Sequence, residues 1–208
     1  MKVLDKGNVE LIDFIGDEKR IVEVARISYG KEDETDEQTV DRILDILLNN
    51  GHYSPFEHVS FTFKVKAPIF VARQWLRHRT GSYNEQSRRY TKNDWEYYIP
   101  ELNLLPNSKI DNKHIQKRID SIMKLEIREY EELLNYGVKP EIARSIMGTG
   151  FYTTFYFSMD LRNLLHFLEL RTEEHAQKEI QEYANAIELL VEEKLPIFMK
   201  KWRKKNGN

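Results

Sequence analysis

The sequence contains no cysteine among its 208 residues. This absence excludes a structural disulfide, a thiolate metal site and a cysteine nucleophile, and it is compatible with a reducing cytosol. The sequence also lacks a Gly-x-Gly-x-x-Gly turn. A dinucleotide cofactor would therefore have to be held by side chains rather than by a Rossmann loop.

Charge of one sign and long apolar runs are also missing. Lys and Arg total 32 against 34 Asp and Glu, so the formal net charge is -2. A near-neutral balance argues against a protein whose whole surface binds nucleic acid. No apolar run approaches the ~18–20 residues that span a bilayer, and the N-terminal residues lack the apolar core of a signal peptide. We therefore expect a cytoplasmic protein with no membrane or nucleic-acid partner.

The hydrophobic periodicity predicts both strands and helices. Strict alternation over 59–66 and 151–158 predicts two half-buried strands. Apolar residues at helical spacing predict helices that include 40–48, 115–134, 161–168 and 176–191. The sequence has no internal repeat, low-complexity tract or interdomain linker. We therefore predict one α+β domain over residues 1–208, with a mainly antiparallel sheet flanked by helices.

Several residues mark expected helix ends. Asp17, Asp160 and Thr172 are residue types that cap helix N-termini, and Gly51 suits the left-handed turn that ends a helix. The basic run Lys200–Lys205 is typical of a solvated, frayed tail.

Residues 77–90 concentrate the polar chemistry of the chain. They hold one acidic residue, Glu85, against four arginines: Arg77, Arg79, Arg88 and Arg89. An exposed helix face would pair its charges at i, i+4, whereas arginine binds phosphate with a planar fork of donors. The residues thus indicate an anion site, with Glu85 and Asn84 orienting a polar group; a basic solvated loop is the alternative.

A second polar loop, His52–His58, contains two histidines and a glutamate. Their spacing matches no common metal motif. We therefore predict no metal site.

The order of residues within the arginine-rich stretch is specific. Arg77-His78-Arg79 is followed, after seven residues, by Ser87, and Asn84-Glu85 and Arg89-Tyr90 complete the pattern, which also reaches back through 68–75. This pattern resembles the signature of the flavin-dependent thymidylate synthases, and the similarity runs from Leu4 to about Pro196. The resemblance implies that family's α+β fold, which is unrelated to Rossmann domains.

The activity that the resemblance implies is the reductive methylation of dUMP to dTMP. In that reaction 5,10-methylenetetrahydrofolate supplies the carbon, and NADPH supplies the reducing equivalents through FAD. The other class of thymidylate synthase activates uracil by cysteine attack, a route that this cysteine-free chain does not have. The resemblance also implies a homotetramer with sites at subunit interfaces.

The resemblance assigns ligands residue by residue. The residues implied for dUMP are Gln74, Trp75, Leu76, Arg77, Glu85, Gln86, Ser87, Arg88, Arg89, Arg144 and Arg171. Those implied for FAD are Ser54, Arg77, His78, Arg79, Glu85, Asp160, Leu161, Arg162 and His166. Arg144 would reach the dUMP phosphate of a neighbouring subunit. Arg171, the expected catalytic residue, would face the uracil ring and stabilise the charge that builds there.

The chain departs from the family pattern at a few positions. Asp160 and His166 stand where the family commonly has Asn, and Met147-Gly148-Thr149 replaces a Leu-Pro step. Arg88 occupies a variable position, and we expect its side chain to point to solvent. Trp75 lies on the apolar stripe of its helix, which also predicts core packing.

Two other function classes fit parts of the sequence. Interleaved Arg and Tyr residues are found in modules that bind RNA or DNA, but the net negative charge and Glu85 count against that reading. A helical scaffold without a ligand would leave the arginine cluster unexplained.

Overall fold

The computed structural model describes residues 1–89, 95–101 and 111–207. The Thr91–Pro106 stretch, expected to be a polar aromatic linker, lies mostly outside them. Contacts divide the chain into two compact units. The first comprises the described parts of Met1–Asn8, Val65–Arg77 and Asn84–Phe155, and the second those of Val9–Lys64, His78–Tyr83 and Tyr156–Asn208. That residues 1–208 form one domain stays a prediction.

Five strands form one sheet in the described part of the chain, in the order β1-β2-β3-β5-β4. They are β1 (Lys2–Val3), β2 (Gly7–Ile15), β3 (Ser60–Pro68), β4 (Ser82–Glu85) and β5 (Tyr152–Asp160). β1 pairs with β2 in antiparallel register, Lys2 opposite Asn8 and Val3 opposite Gly7. The two strands predicted from alternation correspond to β3 and β5, and the α+β class is confirmed.

The first unit contains three helices within the described residues: α3 (Ile69–Trp75), α4 (Asn112–Asn135) and α5 (Pro140–Ala143). A 3-10 turn over Arg144–Ile146 follows α5. Trp75 is fully buried and meets the Phe155 ring edge-on, with centroids 5.3 Å apart. The predicted core packing of Trp75 is therefore confirmed.

The second unit contains the other five described helices: α1 (Glu18–Arg26), α2 (Glu37–Asn50), α6 (Leu161–Thr172), α7 (Lys178–Lys194) and α8 (Pro196–Asn206). The side chains of Asp17 and Asp160 each accept a hydrogen bond from the backbone N–H three residues later in the chain, as N-cap residues do. Gly51 ends α2 at φ 69°. These three helix ends agree with the sequence predictions.

The prediction that Thr172 caps the final long helix is wrong. Thr172 is the last residue of α6, and its hydroxyl donates to the Leu168 carbonyl at 2.8 Å. α7 begins six residues later, with Gln177 in the N-cap position. A threonine hydroxyl can cap a helix N-terminus, and it can also donate to the carbonyl four residues before it. The residue type alone therefore does not tell whether Thr172 begins a helix or ends one.

The prediction of a frayed basic tail is also wrong, because residues 196–206 form α8. Phe198, Met199 and Trp202 are buried on one face. Lys201 bridges Asp41 and Asp45 of α2 at 2.8 and 2.7 Å, and Arg203 pairs with Glu188 and Glu192 of α7. Asp41 and Asp45 lie far away in sequence, and Glu188 and Glu192 belong to the preceding helix, so the run of positive charge alone resembles a solvated tail.

None of the helices in the described parts of the chain is long and apolar enough to cross a membrane.

Arg203 should contribute measurably to stability. Its guanidinium donates to Glu192 at 2.5 and 2.9 Å and to Glu188 at 2.5 Å. We expect Arg203→Gln to lower the free energy of unfolding by about 1–3 kcal/mol, because two carboxylates lose charge-assisted bonds. Urea denaturation measures this, with the exposed Lys204→Gln as the control. Equal stabilities of the two variants would contradict the assignment.

Candidate active site

The residues predicted for the site fall into two groups, one in each unit. The first unit carries Gln74, Trp75, Leu76, Arg77, Glu85, Gln86, Ser87, Arg88, Arg89 and Arg144. The second carries Ser54, His78, Arg79, Asp160, Leu161, Arg162, His166 and Arg171. The first group consists of residues predicted to bind dUMP, and the second of residues predicted to bind FAD. The exceptions are Arg77 and Glu85, which are predicted to contact both ligands, and Arg171, a predicted dUMP residue that lies in the second unit.

Glu85 is oriented by β5. Its Oε1 accepts a hydrogen bond from the Thr153 hydroxyl at 2.6 Å, and the next backbone N–H, of Gln86, donates to the Thr154 carbonyl at 2.8 Å. Thr153 is buried. Sequence reasoning missed it, although a hydroxyl between Phe151 and Phe155 on the apolar face of a strand was the available signal.

Arg88 does not point to solvent, so that prediction is wrong. Its side chain is half-buried and donates to the Tyr152 carbonyl. Its guanidinium carbon lies 4.7 Å from the centre of the Trp95 ring, a cation–π arrangement. Arg88 thus joins the signature to β5 and to the described segment around Trp95.

Arg89 and Arg144 both contact Glu141 of α5. Nη2 of Arg89 lies 3.3 Å from Glu141 Oε2, and Nε of Arg144 donates to the Glu141 carbonyl at 3.4 Å. The backbone N–H of Arg89 donates to Ser87 Oγ at 3.3 Å. Arg89, expected at the phosphate of this chain's dUMP, and Arg144, expected at that of a neighbouring subunit, thus both contact Glu141, and Ser87 lies beside Arg89.

The end of α3 and the loop after Arg144 complete the first group. Gln74 is half-buried, Leu76 and Arg77 are exposed, and Trp75 belongs to the core. In the loop, the Gly148 N–H donates to Glu126 Oε2 of α4 at 2.6 Å. A proline at this position would have no N–H to donate. Gly148 therefore allows a hydrogen bond between this loop and α4.

In the second unit, Asp160 uses both carboxylate oxygens at the start of α6. Oδ1 accepts from the Asn163 N–H at 3.0 Å, and Oδ2 accepts from the Asn163 side-chain amide at 2.6 Å. The next residue, Leu161, is buried, and its N–H donates to the Val59 carbonyl at 2.8 Å. The acid at position 160 therefore serves the helix as an N-cap.

Arg162 and His166 lie one turn apart on α6 and line a cleft of about 300 Å³. The other lining residues are Tyr53, Asn163, Leu165, Glu169 and Trp202. Arg162 also pairs with Glu57 of the 3-10 turn Ser54–His58. Ser54 and Arg79 are exposed and do not line this cleft. Within the described ranges, no group of three or more His, Asp or Glu side chains could hold a metal ion.

His78 and Arg171 form the most specific contact of the second group. Nε of Arg171 donates to Nε2 of His78 at 3.0 Å. The His78 ring meets Phe167 edge-on at 4.9 Å between centroids and lies 6.2 Å from the His166 ring. His78 is 8% exposed and Arg171 is half-buried, so the imidazole is shielded from bulk water on most sides.

The surroundings of His78 keep it neutral. Burial, followed by the positive charges of Arg171 and His166, lowers the pKa of His78 from 6.5 to about 4. The backbone carbonyl of His78 accepts a hydrogen bond from the Tyr83 hydroxyl at 2.8 Å, and burial raises the pKa of Tyr83 to about 12. At neutral pH the imidazole is therefore an acceptor and the phenol a donor.

Gly81 lets the turn between His78 and Tyr83 approach β5 closely. A Cβ at this position would lie 2.8 Å from Met159 Cε and 3.2 Å from the Ser158 carbonyl oxygen. The Met159 methyl group ends a flexible side chain and can shift, but the Ser158 carbonyl is backbone, so the absence of a Cβ favours this close approach.

Comparison with known proteins decides the family. The family model described as thymidylate synthase complementing protein matches residues 10–197. A flavin-dependent thymidylate synthase from Thermotoga neapolitana is 46% identical over 194 residues, covering 93% of this chain and 89% of the relative. The Thermosipho africanus protein of the same name is 44% identical, covering 94% and 90%. This chain belongs to the flavin-dependent thymidylate synthase family.

A solved structure agrees with this family assignment. The UMP/dUMP methylase PolB from Streptomyces cacaoi, bound with 5-Br dUMP, superposes with a TM-score of 0.89 at 29% identity, covering 98% of this chain and 97% of that one. The predicted fold and the prediction of an enzyme are thus confirmed. A nucleic-acid module and a ligand-free scaffold are not supported for this member of the flavin-dependent thymidylate synthase family.

The lowered pKa of His78 should appear in the pH dependence of stability. Between pH 6.5 and 4 the unfolded chain binds a proton at His78 that the folded chain does not, so the free energy of unfolding falls as the pH falls. We expect wild type to lose about 1 kcal/mol more than His78→Gln between pH 7 and 5, after allowance for solvent screening. Urea denaturation at both pH values measures this. The exposed His114→Gln should keep the wild-type slope, and an unchanged slope in His78→Gln would refute the shift.

Proposed function

We propose that this chain catalyses the reductive methylation of dUMP to dTMP, with FAD as cofactor, 5,10-methylenetetrahydrofolate as carbon donor and NADPH as reductant. The observation that carries the proposal is the hydrogen bond between the buried His78 and the half-buried Arg171, in a chain without cysteine. A synthase that cannot attack uracil with a thiolate needs another way to activate the ring. A fixed cation can stabilise the charge that builds on the ring without a covalent bond to the protein.

The residues of the second unit fit a flavin dinucleotide by their chemistry. Arg162 and His166, with Tyr53 and Trp202, offer a cation, an imidazole and two aromatic walls around one cleft. Arg79 and Ser54 add an exposed cation and hydroxyl, which suit a diphosphate. We assign Ser54, Arg79, Leu161, Arg162 and His166 to FAD. When bound and reduced by NADPH, the flavin would supply the hydride that reduces the pyrimidine.

His78 and Asp160 remain in the proposal as FAD contacts predicted from the resemblance. Both carboxylate oxygens of Asp160 are bonded to Asn163, so Asp160 shapes the start of α6 and presents Asn163 beside the cleft. The residues shared between the two ligands, Arg77 and Glu85, remain in the proposal as predicted from the resemblance.

The first unit would hold dUMP. Ser87, the backbone at Arg88 and the Arg89 side chain would meet the phosphate, and Glu85, Gln86, Gln74, Leu76 and Arg77 would contact the nucleoside. Ser87 acts as a ligand and not as a nucleophile, because its Oγ accepts from the Arg89 N–H and its neighbours Arg88 and Arg89 cannot act as bases. Trp75 and the Arg88 side chain support the site through the core and β5.

Arg171 would stabilise the charge on the uracil ring, and its substitution tests this role. A lysine retains the charge but lacks the planar fork. We expect Arg171→Lys to fold and to bind FAD, yet to form dTMP about 100-fold more slowly, because a preorganised donor is lost. Flavin fluorescence and a dTMP assay measure the two properties. The exposed Arg128→Lys on α4 is the control, and near-normal dTMP formation by Arg171→Lys would reduce Arg171 to a helix-end charge.

The proposed assembly is a cytoplasmic homotetramer in which Arg144 reaches the dUMP of a neighbouring subunit. Subunit mixing tests the shared site. Arg144→Ala and Arg171→Ala chains should each be inactive, whereas a mixture that exchanges subunits should regain part of the activity, because some sites then combine two intact contributions. Activity of dilute samples, with sedimentation to follow assembly, measures this. A fully active monomer would contradict the proposal.

A further inference from the structure

Two residues of α6 hold the His78 ring. Phe167 packs its ring edge against the imidazole, and Arg171, one turn later, donates from Nε to Nε2. Residues four apart lie on the same face of a helix, so one rigid element fixes both contacts. The imidazole and the guanidinium therefore share one geometry set by α6.

The direction of this hydrogen bond determines the tautomer of His78. The Arg171 guanidinium can only donate, because it has no acceptor and keeps its proton at any ordinary pH. Nε2 of His78 must then carry the lone pair, and the ring proton of the neutral imidazole must lie on Nδ1. The structure thus requires the less common Nδ1–H tautomer at this residue.

The other side of the pair is held equally firmly. The Tyr83 hydroxyl donates to the His78 carbonyl, and the Tyr83 ring stacks on Phe157 of β5 at 5.4 Å between centroids. Gly81, between them, is packed against Met159 and Phe157. The backbone that carries the imidazole therefore has little freedom to move away from Arg171.

From this geometry we infer that His78 is a positioning residue, whose neutral Nε2 orients the Arg171 guanidinium toward the substrate. A guanidinium is planar, so fixing the direction of its Nε–H also fixes the plane in which its other two nitrogens lie. The inference rests on the proposed function of Arg171. It gives His78 a role in addition to the flavin contact that the resemblance implies.

The tautomer can be tested on the free enzyme, without substrate. In ¹⁵N-labelled protein we expect His78 to show a protonated Nδ1 and an unprotonated Nε2 at pH 7, and to stay neutral at pH 5.5. Arg171→Leu removes the donor that faces Nε2 and should abolish this tautomer preference. His114, exposed on α4, serves as the reference histidine in the same spectrum. A protonated Nε2 on His78 would overturn the inference and leave the proposed function intact.

Kinetics then separate positioning from flavin binding. His78→Gln keeps a side-chain oxygen able to accept from Arg171, whereas His78→Leu does not. We expect His78→Leu to lower kcat for dTMP formation about 100-fold, because a misplaced catalytic group can cost that much, while His78→Gln stays within about tenfold of wild type. Both variants are assayed at saturating FAD, so that any change in flavin affinity does not enter kcat. Weakened FAD binding with normal kcat at saturating FAD would overturn the inference.

A double-mutant cycle completes the test. If His78 acts through Arg171, adding His78→Leu to Arg171→Lys should cost almost nothing further, because the group it positions is already lost. Additive losses would overturn the inference. Should His78→Leu fail to fold, Tyr83→Phe removes the hydroxyl that holds the His78 backbone without changing the pair itself, and it should lower kcat in the same direction. Absence of dTMP formation by wild type would instead refute the proposed function.

Discussion

The hydrogen bonds that the signature makes with β5 are the interaction on which the candidate site depends. The Thr153 hydroxyl donates to Glu85. The Tyr152 carbonyl accepts from Arg88, and the Thr154 carbonyl accepts from the Gln86 N–H. Farther along the strand, Phe157 stacks on Tyr83 and Met159 packs against Gly81. The same strand ends at Asp160, which starts α6. β5 thus binds the polar stretch through Tyr152, Thr153 and Thr154, and its last residue leads into the helix that carries Arg171.

Burial then gives the polar groups their chemical character. His78 is removed from water, and burial together with the neighbouring Arg171 lowers its pKa, so the imidazole is neutral. Its neutrality makes it an acceptor, and an acceptor is what an arginine needs in order to be oriented. The electrostatics of the second unit therefore favour a single charge, on Arg171, at this contact.

The sequence predicts the regular elements well where one local signal dominates. Alternating residues identified β3 and β5, and Asp17, Asp160 and Gly51 marked helix ends correctly. The sequence predictions failed where a contact with another element determines the structure. The tail became α8 because Asp41, Asp45, Glu188 and Glu192 receive its charges. Arg88 turned inward because a backbone carbonyl and the face of Trp95 were available, and neither partner can be read from the residues around it.

The cleft beside α6 has a wall that comes from the far end of the chain. Trp202 of α8 lines it together with Tyr53 and Arg162, and ion pairs with α2 and α7 keep that helix in place. During translation the ribosome releases residue 202 long after the rest of the cleft has emerged. A nascent chain therefore lacks the complete cleft, and whatever fills it can stabilise the protein only after synthesis has passed α8.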